Sequence, residues 1–109
     1  MTITVHNIFT GATAPPGVEQ CLTLFESAKV RVERIVSNAH RSPADFWYDQ
    51  PEDEWVMVLR GQATLEFADG ESVAMRAGDH VTIARHVRHR VGETDAETIW
   101  LAMHVKPQP

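Results

Sequence analysis

Trp47-Tyr48-Asp49-Gln50-Pro51-Glu52-Asp53-Glu54-Trp55-Val56-Met57-Val58-Leu59-Arg60-Gly61 is the stretch on which the reading of this 109-residue chain turns. Its first half is polar and acidic. Its second half is a run of aromatic, β-branched and long apolar side chains, the composition of a strand covered on both faces. Gly61 then ends the run, as a residue free to turn where others are strained. Polar groups feeding directly into a buried strand place chemistry-bearing side chains at the mouth of a sheet.

Outward from that stretch the signals are those of short strands. Downstream, Thr64-Leu65-Glu66-Phe67 alternates, Asp69-Gly70 predicts a two-residue hairpin turn, and Val73 and Met75 return. Ala77-Gly78-Asp79 turns the chain into His80 to Ile83, and two further strands are expected near Val87 to Val91 and Thr98 to Val105. Upstream, Leu22 and Leu24, then Val30, Val32 and Val36, recur at even spacing around a Glu26-Ser27 turn. Asn38 to Asp45 is a loop, and Met1 to about Gln20 is a weakly patterned arm kinked at Pro15-Pro16-Gly17. No window carries a sustained helical stripe. Eight or so strands with frequent turns predict an all-β domain, closed or sandwiched. We divide it into residues 1–27, an arm and first strand packing on the barrel or a partner subunit, and residues 28–109, the barrel.

Val56 and Val58 point inward in such a barrel, which sends Trp55, Met57 and Leu59 outward, and Trp100, Leu101 and Met103 repeat the pattern. An outer face so apolar is expected to meet the N-terminal strands or a second copy, and a homodimer is the preferred reading. Fifteen acidic against ten basic residues give a formal charge of -5, which argues against nucleic-acid backbones and anionic membranes as partners. Arg85, Arg88 and Arg90 with His86 and His89 form a local basic patch, read either as solvated surface paired with Glu93 and Asp95 or as a clamp for a substrate carboxylate. The apolar runs fall far short of the roughly 20 residues of a membrane helix. Cys21, the single cysteine, reads as a small buried apolar group, and a cytoplasmic setting is the default.

With these strands in order, the chain resembles a small single-domain cupin, a jelly-roll (double-stranded β-helix) barrel. That family carries the motifs G-x5-H-x-H-x3-E-x6-G and G-x5-P-x-G-x2-H-x3-N. Glu54 and Gly61 fit the end of the first, and Gly78-Asp79 followed by Ile83 to His89 fits the second, with His89 on the family's histidine. The resemblance covers roughly residues 28 to 105. Tyr48 and Gln50 stand where the first motif has histidines, and Ala84 and His86 replace the proline and glycine of the second.

The resemblance implies one divalent transition metal (zinc, iron, manganese or nickel) held by Tyr48, Gln50, Glu54 and His89, with Glu54 or Tyr48 as general acid or base when not ligated. It implies a small organic substrate in the cavity and oxygenase, isomerase or lyase chemistry. Read from the residues alone, the same four side chains make equally good sense as a hydrogen-bonded polar cluster in a metal-free binding or sensing barrel. Phe46 and Trp47 are candidates for an aromatic wall at the pocket mouth, and Arg88 for a substrate clamp. His40 and His86 are further possible ligands. A one-residue shift would present Trp47 and Asp49 in place of Tyr48 and Gln50. His6, His80 and His104 read as surface or strand-packing residues, although His104 on the last strand has a route to the cavity. Trp55 and Trp100 read as core or interface.

Overall fold

The computed structural model describes residues 1–109. Eight strands account for its regular structure: β1 (Glu19–Glu26), β2 (Val30–Ser37), β3 (Asp53–Arg60), β4 (Gln62–Phe67), β5 (Ser72–Arg76), β6 (His80–Ile83), β7 (His89–Thr94) and β8 (Thr98–Val105). They form two sheets with strand orders β1-β2-β8-β3-β6 and β5-β4-β7. All pairings are antiparallel. This is the all-β barrel that the alternation predicts, and no helix is present to cross a membrane.

β8 sits in the middle of the larger sheet because its Ile99-to-Met103 run can be covered on both faces; it pairs with β2 on one side and β3 on the other. Side chains then alternate. Glu54, Val56 and Val58 of β3 are buried, as are Trp100, Ala102 and His104 of β8. Val56, Val58, Ile83, Trp100 and Ala102 of the larger sheet meet Ala63, Leu65, Met75 and Val91 of the smaller one across the space between the sheets, and this is the main core. Trp100 is 2% exposed and donates its indole N–H to Ser37 Oγ at 3.1 Å, so the largest core side chain keeps its one polar group satisfied.

Two glycines decide how the chain passes between strands. Gly61 has φ of +85°, and a Cβ there would lie 2.7 Å from Thr98 Oγ1 and 2.8 Å from the Glu97 carbonyl oxygen. Only glycine can carry the chain from β3 in one sheet to β4 in the other at this point. At Gly70, φ is +97°. The β4–β5 connection is longer than the expected two-residue turn: Gly70 N–H donates to Phe67 O, and Phe67 N–H donates to Glu71 O. A turn over Phe67 to Gly70 with a left-handed glycine at its end replaces the tight Asp69-Gly70 turn.

The outer edge is less covered. β1 pairs only with β2, and Leu22, Leu24 and Phe25 are 48%, 43% and 57% exposed. The N-terminal arm reaches the body through Arg34, which donates to the carbonyls of Ile8 and Thr10, and through Phe9, whose ring lies under Arg60.

Candidate functional site

Between the two sheets, a cavity of about 100 Å³ opens toward the polar half of the Trp47–Gly61 stretch. Its floor is apolar: Ile35, Val56, Leu65, Ile83, Val91 and Trp100. Its polar lining consists of Glu19, Cys21, Glu33, Tyr48, Gln50, Glu54, His89 and His104. The four residues at the motif positions, Tyr48, Gln50, Glu54 and His89, therefore share one cavity.

Backbone pairing explains how they meet. Tyr48 forms an isolated antiparallel bridge with His89, with Tyr48 N–H donating to His89 O at 2.7 Å and His89 N–H to Tyr48 O at 3.2 Å. This fixes the register: Tyr48 and Gln50 face the cavity, and Trp47 and Asp49 do not. Trp47 instead lies beneath the Arg90 guanidinium, 4.1 Å from the ring centroid, and Asp49 accepts a contact from His86 Nδ1 at 2.8 Å on the surface. Phe46 packs edge-on against Tyr48 at the rim.

His89 is held in one orientation. Its Nδ1 lies 2.8 Å from the Val87 carbonyl oxygen, which can only accept, so Nδ1 carries the proton. Nε2 is left facing Glu54 Oε1 at 3.5 Å. The two side chains are 7% and 10% exposed. Burial alone would lower the His89 pKa, but the contacts with Glu54 and the Val87 carbonyl outweigh it and hold the imidazole above its ordinary value. The Tyr48 ring stacks on His89 with centroids 5.5 Å apart. Burial, with Glu19, Cys21 and Glu54 nearby, pushes the Tyr48 phenol up to about 12, so it stays a proton donor at neutral pH.

His104 is a larger participant than its sequence position suggested. Only 4% exposed, its side chain faces three carboxylates: Nε2 is 2.9 Å from Glu33 Oε1 and 3.8 Å from Glu54 Oε2, and Nδ1 is 3.5 Å from Glu52 Oε1. Neither nitrogen has the geometry of a hydrogen bond. Glu52 is meanwhile clamped by both terminal nitrogens of Arg31, at 3.1 and 2.9 Å. Glu33 and Glu19 were also absent from the sequence-derived site. The signal was present as alternation: Glu33 precedes inward Ile35 by two residues, and His104 follows inward Trp100 by four.

Other candidates lie elsewhere. His40 is outside the lining, 3.6 Å from Glu19 through Nε2, and His86 is exposed. Arg88 is exposed and outside the lining. Arg90 pairs with Glu66 at 2.9 Å rather than with Glu93 or Asp95. Cys21 corrects the expectation of burial: β1 is an edge strand, so the residue is exposed, although its thiol borders the cavity. Partial desolvation, then the charges of Glu33, Glu19 and Glu54, push that thiol up to about 11, which keeps it a poor nucleophile. Burial likewise raises the pKa of Glu19, against the opposing effects of His40 and the Ser37 hydroxyl.

The model of the cupin domain family matches residues 34–104, most of the chain and both motif regions. The chain is a cupin. This cupin is similar over 96% of its length to the whole of a protein from Ralstonia eutropha JMP134 provisionally named a mannose-6-phosphate isomerase, at 41% identity and a TM-score of 0.88. It also shares its fold with a cupin superfamily protein from Desulfitobacterium hafniense DCB-2, at 15% identity and a TM-score of 0.74 over 86% of this chain and 83% of that one. An RmlC-like cupin from Shewanella frigidimarina NCIMB 400 gives 14% identity and a TM-score of 0.71 over 88% and 83%. No curated protein sequence matches it.

Many cupins use this cavity for a metal, so the donor set matters. Among the four motif positions, Glu54 and His89 are strong ligands, Gln50 offers a neutral amide oxygen, and the Tyr48 phenol is held protonated. No three His, Cys, Asp or Glu side chains are arranged so as to hold a metal ion. Catalytic sites of the zinc type take three protein ligands. The residues as arranged do not make the family's metal centre.

Proposed function

We propose that this cupin acts on a small organic molecule by proton transfer, with His89 and Glu54 as the acid–base pair and Tyr48 as a hydrogen-bond donor. The observation that carries the reading is the His89 orientation: Nδ1–H is tied to the Val87 carbonyl, and Nε2 points into a buried, partly apolar cavity beside Glu54. A neutral imidazole so fixed accepts a proton at Nε2. Glu54, 3.5 Å away, stabilises the imidazolium that results. Tyr48, kept protonated, can donate to an oxygen on which negative charge develops.

Moving a proton between neighbouring carbons of a carbonyl compound requires this set, one base and one donor. The provisional name of the Ralstonia relative, an isomerase, is consistent with such a reaction class. A cytoplasmic setting fits the reduced single cysteine. The molecule works as a homodimer in this reading, since the exposed apolar residues of edge strand β1 gain cover from a second copy; sedimentation of a clean monomer at micromolar concentration removes that element.

The test is exchange of carbon-bound protons with deuterated water, followed by NMR over a panel of small carbonyl compounds. Wild type should catalyse exchange on at least one member, and His89→Gln and Glu54→Gln should each slow it by about a hundredfold or more. Rates unchanged in both variants remove the pair from the chemistry. A second reading, a metal-free binding or sensing barrel, is favoured by Tyr48 and Gln50 at the positions of the family's histidines; ligand binding without exchange of any compound selects it.

A further inference from the structure

Charge in the cavity is already matched. Each carboxylate that lines it faces an imidazole: Glu33 Oε1 lies 2.9 Å from His104 Nε2, Glu54 Oε1 3.5 Å from His89 Nε2, and Glu19 Oε2 3.6 Å from His40 Nε2. No lysine or arginine belongs to the lining. Arg31 is bound to Glu52 and Arg90 to Glu66, and Arg88 lies outside. The regular structure is all strand, so no helix N-terminus is aimed into the space. A phosphate or carboxylate would find none of its usual anchors here, and an ammonium group would find no unmatched carboxylate.

The floor is hydrocarbon and indole. Ile35, Leu65, Val91 and Trp100 offer a ligand no polar partner, since the Trp100 N–H is taken by Ser37. An alkyl group is what such a surface receives. The volume, about 100 Å³, is about two-thirds of the roughly 150 Å³ engineered cavity that accepts benzene, which corresponds to a body of about four to six non-hydrogen atoms.

Proton transfer itself favours a neutral reactant in these surroundings. When neutral His89 takes a proton from carbon, imidazolium and enolate form together, and the total charge in the cavity is unchanged. A keto acid or sugar phosphate would at that moment add a further negative charge beside Glu54, with no cation provided for it.

Resting on the proton-transfer reading, we infer that the substrate is an uncharged short-chain ketone or aldehyde, and not a keto acid, an amino ketone or a phosphorylated sugar. Its carbonyl oxygen accepts a hydrogen bond from Tyr48, the neighbouring C–H faces His89 Nε2, and its alkyl tail lies on Ile35, Leu65 and Trp100. Ile35, half-buried on β2, sets how long that tail can be.

Proton exchange in deuterated water by wild type tests this with probes matched in shape and different in charge: 3-methyl-2-butanone against pyruvate, and hydroxyacetone against aminoacetone and dihydroxyacetone phosphate. Each rate is divided by the rate that free imidazole gives the same compound, which removes differences in C–H acidity. The uncharged member of each set should lead by about a hundredfold or more. Ile35→Ala should shift the best 2-alkanone from 2-butanone toward 2-pentanone or 2-hexanone, and an unchanged optimum overturns the placement of the tail; the wild-type comparison stands whether or not this variant folds. A charged probe that matches or outpaces its uncharged partner overturns the charge assignment and leaves proton transfer standing. If nothing exchanges, isothermal titration with the same compounds separates the two claims. Saturable binding of an uncharged ketone alone keeps the substrate class and removes proton transfer, whereas binding of charged probes alone, or of none, removes the class as well.

Discussion

On the three-stranded wall of the cavity, His89 and the segment carrying Tyr48 are tied down by paired backbone hydrogen bonds and by the bond from Nδ1 to the Val87 carbonyl. On the five-stranded wall, Glu33, Glu54 and His104 stand side by side on three neighbouring strands, and His104 has no well-aligned partner. One wall orients a single reactive nitrogen; the other concentrates charge. The contrast teaches that two sources of function coexist in one barrel. A short local motif supplies the oriented base, and inward alternation along separate strands gathers the charged groups that surround it.

The most disruptive way to break this contrast is at the junction of the walls. Gly61→Ala should place a methyl group against Thr98 and the Glu97 carbonyl at a left-handed backbone position, costing about 2 to 5 kcal/mol in urea denaturation. Loss below 1 kcal/mol would mean that the β3–β4 passage is looser than described. Next, the walls should respond unequally to loss of their histidines. His104→Leu leaves Glu33, Glu52 and Glu54 facing one another and should cost about 3 kcal/mol, whereas His89→Gln, losing a hydrogen bond to a carbonyl and the contact with Glu54, should cost about 1 to 2 kcal/mol. Equal losses would erase the distinction between a charged wall and an oriented one.

A smaller effect concerns pH. The folded state holds the His89 pKa above the ordinary 6.5, so the protonated imidazole favours folding. That contribution is complete at pH below the ordinary value and is lost as pH rises through the raised one. The stability advantage of wild type over His89→Gln should therefore shrink as pH is taken from 5 to 9, and an advantage that grows over this range contradicts the Glu54 contact. The smallest signal is spectroscopic. Tyr48 is the sole tyrosine, so phenolate absorbance reports it alone; it should appear with a midpoint near 12. Tyrosinate absorbance at neutral pH would instead indicate a ligated phenolate.

Much of the fold was legible because strand periodicity is local. β6 and β8 begin and end where the alternation of His80 to Ile83 and Thr98 to Val105 places them, and Gly61 marks the passage between sheets. The hairpin after Phe67 was misread by one residue class of turn, since Asp-Gly also suits the longer turn with a left-handed glycine. In the site, Tyr48, Gln50, Glu54 and His89 could be brought together because family spacing and period-two geometry agree. Glu19, Glu33 and His104 were not, for a physical reason: their proximity is created by pairing of β1 with β2 and of β2 with β8, long-range contacts that no short window records. Cys21 was misplaced because an apolar alternating strand looks the same whether it lies in the middle of a sheet or at its edge.

The central claim, that Glu54 and His89 serve an organic ligand by proton chemistry, is tested most directly by crystallographic density in the cavity of protein purified without a metal-affinity resin and grown with the carbonyl compound whose protons exchange fastest. The account predicts density for that molecule between Tyr48, Glu54 and His89, at hydrogen-bonding distances. A single strong peak at about 2.0 to 2.3 Å from Glu54 and His89 Nε2 would be a metal ion, and would contradict it.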